Sequence, residues 1–453
     1  MLDFAHMSAE ELIRPEGYEC PCGKHHVTTL KYLKIGQGVL ECLPEALTAV
    51  GAKRPMVVCD DNTYKVAGER VAQLLQAAGI PHSLYIVPCM EDRLRPAEWE
   101  LGSICMHFDA QCDFILGVGS GVINDLCKVA GHATGRPTGI VGTAPSMDGY
   151  ASNSSSMEVN KVKTTLYNAC PVLILCDTQI IAQAPMRMLW AGLGDMAAKY
   201  ISVCEWRISH LVTGEYYCES VAEMMRVSLR KNMANAEGIQ RREPDAIQNI
   251  VEGLVMAGLA MAYAQVSRPA SGLEHYFSHV WEMQALERGK PYDLHGILVG
   301  VGTVLSMKLY EKIKEIRPTR EHARRAMERF DAATWEKNIR RIFGATAPQI
   351  LAIERQAGKN DPVKHEKRLS AILEHWDDIQ KIIREELPDF SWLVETMGQT
   401  GMPLSPADLG ISKQDVVDAF VGSRDIRDKY LSSSLLWDLG YLDEMADWLA
   451  QNC

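Results

Sequence analysis

The first 180 residues alternate short apolar runs with amphipathic stretches. Five apolar runs predict β-strands at residues 55–59, 83–87, 114–118, 138–141 and 172–176. Between the first two of these runs, residues 66–78 place apolar side chains at the three- and four-residue spacing of an amphipathic helix. Strands that alternate with helices of this length indicate βαβ units and a mostly parallel sheet. The pattern therefore predicts a Rossmann-like α/β domain over residues 1–180.

The hydrophobic pattern changes after about residue 180. Long stretches of helical periodicity follow one another at residues 190–210, 216–237, 244–265, 273–287 and 295–314. No strand signal competes with them, so they predict an all-helical domain over residues 181–453. Residues 317–388 are helical in pattern and highly charged, and they carry no obvious catalytic motif. We interpret them as a charged helical elaboration of the second domain.

Composition excludes several classes of protein. The chain has 453 residues, of which 47% are hydrophobic, and its formal net charge is -11, which argues against bulk binding to nucleic acid or to anionic membranes. The longest apolar runs are strand-sized, and the N-terminal segment lacks the apolar core of a signal peptide. The 13 cysteines are scattered and odd in number, as in reduced proteins. We expect a cytoplasmic protein without membrane insertion.

Two turns at predicted strand ends indicate a nucleotide site. The sequence GVGSG at residues 117–121 follows one strand and opens a helix, and a polar turn at residues 143–146 follows the next strand. Glycines let the backbone approach a pyrophosphate closely, and a helix N-terminus supplies free N–H donors. A single turn of this kind is as often simply tight. Two of them on neighbouring strand ends favour a dinucleotide crevice.

Asp60, at the end of an earlier strand, allows two interpretations. Its carboxylate accepts hydrogen bonds from an adenosine ribose, or it caps the helix that follows, and on its own the cap is the preferred interpretation. A carboxylate at this place would repel the 2′-phosphate of NADP and so favours NAD weakly. Both NAD and NADP remain candidates.

Histidines and one aspartate mark a candidate metal site in the helical half. His275 and His279 are four residues apart and share a helix face, while Asp195 lies early in one predicted helix and His295 begins another. A carboxylate and two imidazoles suit Zn²⁺, Ni²⁺ or Fe²⁺ and leave positions open for a substrate oxygen. Taken alone, the pair His275 and His279 fits surface or capping histidines better, and sequence order does not bring Asp195 near them.

Several motifs resemble one enzyme family. Four of them are AGLGDMAAK at residues 191–199, RPASGLEH at 268–275, FSHVWEM at 277–283 and HGILVGVGT at 295–303. With these motifs the chain resembles the sn-glycerol-1-phosphate dehydrogenases, a branch of the iron-containing alcohol dehydrogenase and glycerol dehydrogenase superfamily, whose fold is related to dehydroquinate synthase. TAPSMDGYAS at 143–152 and the segment 423–442 are similar to the same branch. The likeness spans residues 28–310 and this C-terminal tail.

The resemblance implies roles for individual residues. Asp195, His275 and His295 would bind one divalent metal ion. His279 would lie near the nicotinamide without being a ligand, and Asp148 would contact a substrate hydroxyl. Besides Asp60, the candidate contacts of NAD or NADP are Gly119, Ser120, Gly121, Asp125, Thr143, Ser146 and Ser152. The implied reaction is the interconversion of dihydroxyacetone phosphate and sn-glycerol-1-phosphate.

Two further assignments rest on general chemistry. The substrate phosphate needs cations or a helix N-terminus, and the candidates are Lys163, Arg268 and the helix start at residues 270–272. A solvated lysine beside a strand explains Lys163 equally well. His279 is a candidate to relay the alcohol proton to solvent, a common histidine role. A packing or orienting role explains its position as well.

Other functions remain open at this point. A polyol dehydrogenase acting on unphosphorylated glycerol would share the fold. A lyase of the dehydroquinate synthase type would use the same metal and cofactor but would reoxidise the nicotinamide within each turnover. A non-catalytic binding protein has no physical need for an open metal site. We expect an enzyme with a small-molecule substrate, and we expect a homo-oligomer.

The segment from Cys20 to His26, with Cys22 and His25 between them, allows a second metal site. A zinc knuckle usually needs a second pair of ligands at similar spacing, and the sequence holds none nearby. A strand that leads into the first domain is therefore the preferred interpretation.

Overall fold

A computed structural model describes residues 2–90, 93–160 and 162–453. Its strands are β1 Tyr18–Glu19, β2 His25–His26, β3 Tyr32–Gly36, β4 Pro55–Asp60, β5 Ser83–Val87, β6 Phe114–Gly119, β7 Thr138–Gly142, β8 Ser154–Val159, β9 Val162–Tyr167 and β10 Leu173–Asp177. Six of them form a parallel sheet in the order β3-β10-β7-β6-β4-β5. The pairs β1–β2 and β8–β9 are antiparallel. The predicted parallel sheet is confirmed.

Helices make up most of the remaining chain. The first are α1 Ala9–Leu12, α2 Leu43–Val50, α3 Asp61–Thr63, α4 Glu69–Ala77, α5 Glu98–Met106, α6 Gly121–Thr134, α7 Thr178–Ile181, α8 Met186–Ala197, α9 Lys199–Thr213, α10 Glu219–Ala234, α11 Ala236–Gln240 and α12 Pro244–Ala264. They are followed by α13 Leu273–Glu287, α14 His295–Glu315, α15 Arg320–Glu328, α16 Ala332–Phe343, α17 Ala347–Ala357, α18 Pro362–Glu374, α19 Trp376–Glu386, α20 Phe390–Gly398, α21 Lys413–Ser423, α22 Ser432–Leu439 and α23 Leu442–Asn452. The predicted helical second half is confirmed.

The chain forms two compact units, each built from two segments. The sheet unit comprises Met1–Met196 and Cys218–Pro269, and the helical unit comprises Ala197–Tyr217 and Ala270–Cys453. This division differs from the boundary predicted at residue 180, because α10, α11 and α12 belong to the sheet unit. In that unit the Gln248 amide of α12 donates a hydrogen bond to the β3 carbonyl of Ile35 at 3.4 Å.

By length and composition, α12 is able to cross a membrane. Most of its apolar stretch is instead buried within the fold, so it serves as a core helix of the sheet unit. Alanines and glycines are spread along it, which is why the sequence pattern showed only strand-sized apolar runs.

The core of the sheet unit contains side chains from the sheet and from two helices. Leu47 of α2 and Val71 of α4 belong to one buried cluster with Val57, Leu116 and Val141 of the strands. From the middle of the sheet, β4 leads outward to β5 on one side and β6 leads outward to β7 on the other. The carboxyl ends of β4 and β6 therefore flank the switch point at which ligands bind in open α/β sheets.

In the helical unit, α13 and α14 pack at close range. A Cβ atom at Gly302 of α14 would lie 2.4 Å from the carbonyl oxygen of Glu274 in α13, so this approach requires glycine. The charged elaboration forms α15 to α19 and is attached to the C-terminal segment. Arg368 of α18 makes two hydrogen bonds of 2.8 Å to the carboxylate of Asp438. Residues 317–388 thus belong to the helical unit.

Candidate active site

The turn between β6 and α6 begins at the switch point of the sheet. Ser120 occupies the N-cap of α6, but its hydroxyl donates to the carbonyl of Ala144 at 3.1 Å and lies 2.6 Å from the Ser146 hydroxyl. The Ser120 side chain makes no capping bond to the helix. The N–H groups of the first turn of α6 are therefore left for an anionic ligand, which a helix N-terminus attracts.

The polar turn at residues 143–146 is joined to this glycine-rich turn. The Thr143 N–H donates to the carbonyl of Gly119 at 3.0 Å, and the Tyr150 hydroxyl donates to the carbonyl of Ala144 at 2.5 Å. Burial raises the pKa of Tyr150 above its usual range, so this hydroxyl stays a neutral donor. Both turns thus lie side by side at the carboxyl edge of the sheet.

Two glycines at this edge are required by packing. A Cβ atom at Gly119 would lie 2.6 Å from the Cβ of Ile123, and one at Gly121 would lie 2.9 Å from the Cγ of Met147. Both distances are shorter than ordinary carbon contacts. The backbone of the turn therefore carries no side chain at these positions, as close approach by a pyrophosphate requires.

Thiols near this edge are unreactive. Burial raises the pKa of Cys59 at the end of β4 to about 12, and it does the same for Cys176 at the end of β10. Both thiols therefore stay protonated near neutral pH and do not act as nucleophiles.

Asp60 caps the helix that follows β4. Its Oδ1 accepts hydrogen bonds from the N–H groups of Asn62 at 2.9 Å and of Thr63 at 2.7 Å. The capping interpretation is confirmed by these bonds. Contact of Asp60 with a ribose stays a prediction.

Asp125 and Ser152 connect α6 and the neighbouring loop to the β8–β9 hairpin. The Asp125 carboxylate accepts from the Ser156 N–H at 3.0 Å and pairs with the Lys128 ammonium at 3.0 Å. The Ser152 hydroxyl donates to the carbonyl of Ser154 at 3.1 Å. Both residues therefore have a structural role, and their contact with a cofactor stays a prediction.

Asp195, on α8, is fully buried in the sheet unit. Its Oδ2 accepts a hydrogen bond from the backbone N–H of Asp148 at 2.9 Å. The helix approaches the 143–146 turn closely, because a Cβ atom at Gly192 would lie 2.0 Å from the carbonyl oxygen of Pro145. The predicted metal ligand and the predicted substrate contact are thus joined by a single main-chain hydrogen bond.

The two candidate phosphate cations lie in different elements of the sheet unit. Lys163 is half-buried on β9, and Arg268, in the segment after α12, is only 1% exposed. A fully buried arginine needs anionic or strongly polar partners. The assignment of both residues to one phosphate stays a prediction.

Three imidazoles cluster in the helical unit. His275 and His279 project from α13 and His295 begins α14. The ring centroids of His275 and His295 are 5.3 Å apart, and those of His279 and His295 are 5.4 Å apart. His275 is buried, which excludes a surface role for it. The close packing of α13 and α14 therefore brings three imidazole rings together.

In each of the two predicted ligand histidines, the Nδ1 atom lies within hydrogen-bond distance of a glutamate carboxylate. The distance from His275 Nδ1 to Glu274 Oε1 is 2.8 Å, and that from His295 Nδ1 to Glu282 Oε1 is 2.9 Å. A carboxylate only accepts, so each Nδ1 carries the hydrogen and each Nε2 keeps its lone pair. This is the usual arrangement of metal-binding histidines.

Glu274 and Glu282 were not predicted from the sequence. Both are at most 1% exposed, and Oε2 of Glu282 lies 3.7 Å from Nδ1 of His279. Oε2 of Glu274 has no hydrogen-bond partner among the described residues. A buried and incompletely satisfied carboxylate is costly, and a cation on the adjacent His275 would offset its charge. The sequence signal that could have identified them is their spacing from candidate histidines. Glu274 is next to His275, and Glu282 follows His279 by three residues.

A third buried glutamate fixes the start of α13. Glu205 of α9 accepts hydrogen bonds from the N–H of Leu273 at 2.9 Å and from the N–H of Ser432 at 2.8 Å. Lys199, at the start of α9, donates to the carbonyl of Ala270 at 3.0 Å. These bonds join α9 to the segment at 270–273 and set where the helix carrying His275 begins.

Comparisons with known proteins give relatives over most of the chain. A family model described as iron-containing alcohol dehydrogenase matches residues 34–185. A glycerol-1-phosphate dehydrogenase (NAD(P)+) of Halalkalibacterium halodurans is 31% identical over 413 residues, which cover 91% of this chain and 93% of that protein. One of Methanosarcina acetivorans is 35% identical over 283 residues, which cover 61% of this chain and 75% of that protein.

A solved structure shares the fold. Glycerol dehydrogenase from Schizosaccharomyces pombe superposes with a TM-score of 0.60 at 16% identity, over 95% of this chain and 93% of that one. At this level of identity the likeness shows the fold alone. The sequence relatives and the matched family model show that this chain belongs to the glycerol-1-phosphate dehydrogenase family of the iron-containing alcohol dehydrogenases.

Proposed function

We propose that this chain is a metal-dependent dehydrogenase that interconverts dihydroxyacetone phosphate and sn-glycerol-1-phosphate with NAD or NADP. The observation that carries the proposal is the pair of histidines, His275 and His295, whose Nδ1 atoms are each held by a buried carboxylate. The names of the sequence relatives support the choice of a phosphorylated substrate.

The proposed metal ligands are Asp195, His275 and His295. The two histidines offer Nε2, since Nδ1 of each is engaged with a glutamate. A carboxylate and two imidazoles suit Zn²⁺, Ni²⁺ or Fe²⁺ and leave room for a substrate oxygen. An ion of this kind lowers the pKa of an alcohol that it binds and polarises the corresponding ketone.

The remaining site residues hold and orient the reacting groups. Glu274 and Glu282 fix the tautomer and the ring planes of the two ligand histidines. The Asp148 side chain contacts a substrate hydroxyl, while its N–H holds the Asp195 carboxylate. His279, stacked beside His295, relays the alcohol proton to solvent, and an orienting role is the alternative.

For the dinucleotide we propose the switch point of the sheet. The N-terminus of α6 and residues 119–121 would hold the pyrophosphate, with Thr143 and Ser146 on the neighbouring turn. The nicotinamide carries the hydride, and the protein sets its position. Oδ1 of Asp60 is engaged in the helix cap, so contact with the ribose would use Oδ2.

We also propose that the enzyme works in the cytoplasm as a homo-oligomer. The 13 cysteines are scattered along the chain and odd in number, in keeping with a reducing compartment. Cell fractionation and light scattering on the purified protein test the location and the oligomeric state.

An initial-rate assay tests the catalytic proposal. The protein is stripped with a chelator and reloaded with Zn²⁺, Ni²⁺ or Fe²⁺, and oxidation of NADH or NADPH is followed with dihydroxyacetone phosphate and with dihydroxyacetone. We expect metal-dependent net oxidation with a higher kcat/KM for the phosphorylated ketone, and a loss of several orders of magnitude in Asp195→Ala. A preference for dihydroxyacetone would identify a glycerol dehydrogenase. Turnover of a substrate without net cofactor oxidation would identify a lyase.

A further inference from the structure

A second group of potential metal ligands lies within the sheet unit. Cys20, Cys22 and His26 come from the β1–β2 hairpin, and Cys218 directly precedes α10. The three sulfurs and the His26 nitrogen all lie within 4.8 Å of one another. The fourth member is almost two hundred residues away from the other three in sequence.

The distances in this group match tetrahedral coordination. Zinc bonds of about 2.3 Å to sulfur and 2.0–2.1 Å to nitrogen place two sulfurs about 3.8 Å apart, and sulfur and nitrogen about 3.6 Å apart. The Cys20 and Cys218 sulfurs are 3.7 Å apart. His26 Nε2 lies 3.3 Å from the Cys22 sulfur and 3.5 Å from the Cys218 sulfur.

The histidine of the group is oriented as a ligand. Nδ1 of His26 lies 2.9 Å from the carbonyl oxygen of Tyr263, which only accepts, so Nδ1 carries the hydrogen. The lone pair of Nε2 then points toward the sulfurs. His26 is completely buried, and a hydrogen bond from the non-ligating nitrogen to a carbonyl is the usual support of a metal-binding histidine.

The hairpin that carries three of the residues needs additional support. Its strands β1 and β2 have two residues each, and an isolated two-stranded hairpin is at best marginally stable. The Lys24 ammonium donates to the carbonyl of Ala264 at 2.6 Å, which joins the hairpin to the end of α12. A metal ion shared with Cys218 would join it to the start of α10 as well.

We propose that Cys20, Cys22, His26 and Cys218 bind a structural zinc ion, separate from the catalytic metal. Four protein ligands leave no position for a substrate, which is typical of structural rather than catalytic zinc. Three thiolates favour zinc over the oxygen-preferring divalent ions. The ion would connect the N-terminal segment to the middle of the chain, so its binding free energy would contribute to folding. This inference does not depend on the proposed catalytic function.

Metal counting on the full-length protein tests the proposal. We expect one zinc per chain in addition to the metal ion of the catalytic site, and we expect the double variant Cys20→Ser/Cys22→Ser to lose that zinc. The control Cys105→Ser changes an exposed thiol of α5 and should keep the full content. The variant His275→Ala/His295→Ala should keep the zinc of the cysteine group, which separates this site from the catalytic one.

A measurement on the unmodified protein covers the case in which the double variant does not fold. After exchange with Co²⁺, three thiolate ligands produce intense charge-transfer absorption in the near ultraviolet, which histidine and carboxylate ligands do not. We expect this absorption in the wild type and in His275→Ala/His295→Ala. Its absence, or a disulfide between Cys20 and Cys218 found by thiol titration of protein isolated under reducing conditions, would overturn the proposal.

Discussion

Single residues decide how the histidines of the helical unit present their nitrogens. Glu274 and Glu282 are buried, and each occupies the Nδ1 atom of one histidine. Glu282 also lies beside His279. Removal of such an outer carboxylate usually costs about 10–100-fold in metal affinity. The candidate site therefore includes two residues whose proposed role is to support the ligand histidines.

We expect Glu282→Gln to weaken metal binding by about 10–100-fold, because the neutral amide no longer supports the His295 imidazole as strongly. Competition with a chelator of known affinity measures this loss. Glu287→Gln, at the exposed end of the same helix, is the matched control and should bind metal as the wild type does. Equal affinities of the two variants would contradict the role given to Glu282.

The phosphate assignment is also tested at single residues. We expect Lys163→Ala to raise the KM for dihydroxyacetone phosphate by about 10–100-fold, since a charge-assisted hydrogen bond contributes roughly 1.5–3 kcal/mol. The KM for dihydroxyacetone should not change. Arg268→Lys keeps the charge at the buried position and should raise the same KM through loss of the planar, two-pronged contact. If both variants keep the wild-type KM for the phosphorylated ketone, the phosphate binds elsewhere.

Among the secondary-structure elements, those with a strong apolar period were predictable from the sequence. Strand β5 and helix α13 have the predicted bounds. Strand β3 and the β8–β9 hairpin were missed, because β3 is an edge strand with intermediate burial at most positions and β8 is rich in serine. Neither pattern alternates clearly between apolar and polar residues.

The helices between residues 190 and 240 were predicted as longer than they are. The stretch at 190–210 is divided into α8 and α9 around Ala198, and the stretch at 216–237 begins only at Glu219. The helical spacing of apolar residues continues across the break at Ala198 and across residues 216–218. This spacing indicates which face of a helix is apolar, but it does not indicate where the helix begins or ends. Ala198 also lies next to the point at which the chain passes from the sheet unit to the helical unit.

The position of α8 depends on a glycine, Gly192, which has no side chain. Because a Cβ atom at Gly192 would lie 2.0 Å from the carbonyl oxygen of Pro145, we expect Gly192→Ala to destabilise the protein by about 1–3 kcal/mol. At Gly102, in the middle of α5, an added Cβ atom would meet no other atom within 4 Å. We expect Gly102→Ala to leave stability unchanged or to raise it by up to about 1 kcal/mol. Denaturant unfolding compares the two, and equal stabilities would show that α8 adjusts freely.

At the scale of the whole molecule, the sequence did not reveal which elements belong together. The predicted boundary at residue 180 follows the change from strands to helices, but α10, α11 and α12 belong to the sheet unit. The same limit hid the fourth member of the cysteine group. Local spacing showed Cys20, Cys22 and His26, whereas Cys218 joins them only through the packing of the folded chain.

The charged elaboration is held to the C-terminal segment by a buried ion pair. Asp438 is completely buried, and it accepts two hydrogen bonds from Arg368 and one from the Tyr430 hydroxyl. We expect Asp438→Asn to destabilise the protein by about 3–5 kcal/mol, because the neutral amide removes the negative charge and one of the two oxygens that accept from the guanidinium group.

Glu366→Gln is the matched control for this pair. Glu366 pairs with Arg324 at 2.9 Å and also with Arg320, and all three side chains are more than one third exposed. Exposed pairs contribute at most about 1 kcal/mol each. Thermal unfolding of both variants measures the two losses of stability. A loss in Asp438→Asn no larger than that in Glu366→Gln would mean that the elaboration does not depend on the buried pair.

Asp195 accepts its hydrogen bond from the main chain of Asp148 and not from the side chain. Substrate choice and metal binding can therefore change independently of each other at this position. An amide N–H is present in every residue except proline, so the side chain at position 148 is free to change while the carboxylate of Asp195, the proposed metal ligand, keeps its hydrogen bond. Divergence of substrate choice at this position would therefore leave the metal-binding capacity intact. Relatives that act on different polyols are expected to vary in the side chain here and to retain the backbone geometry.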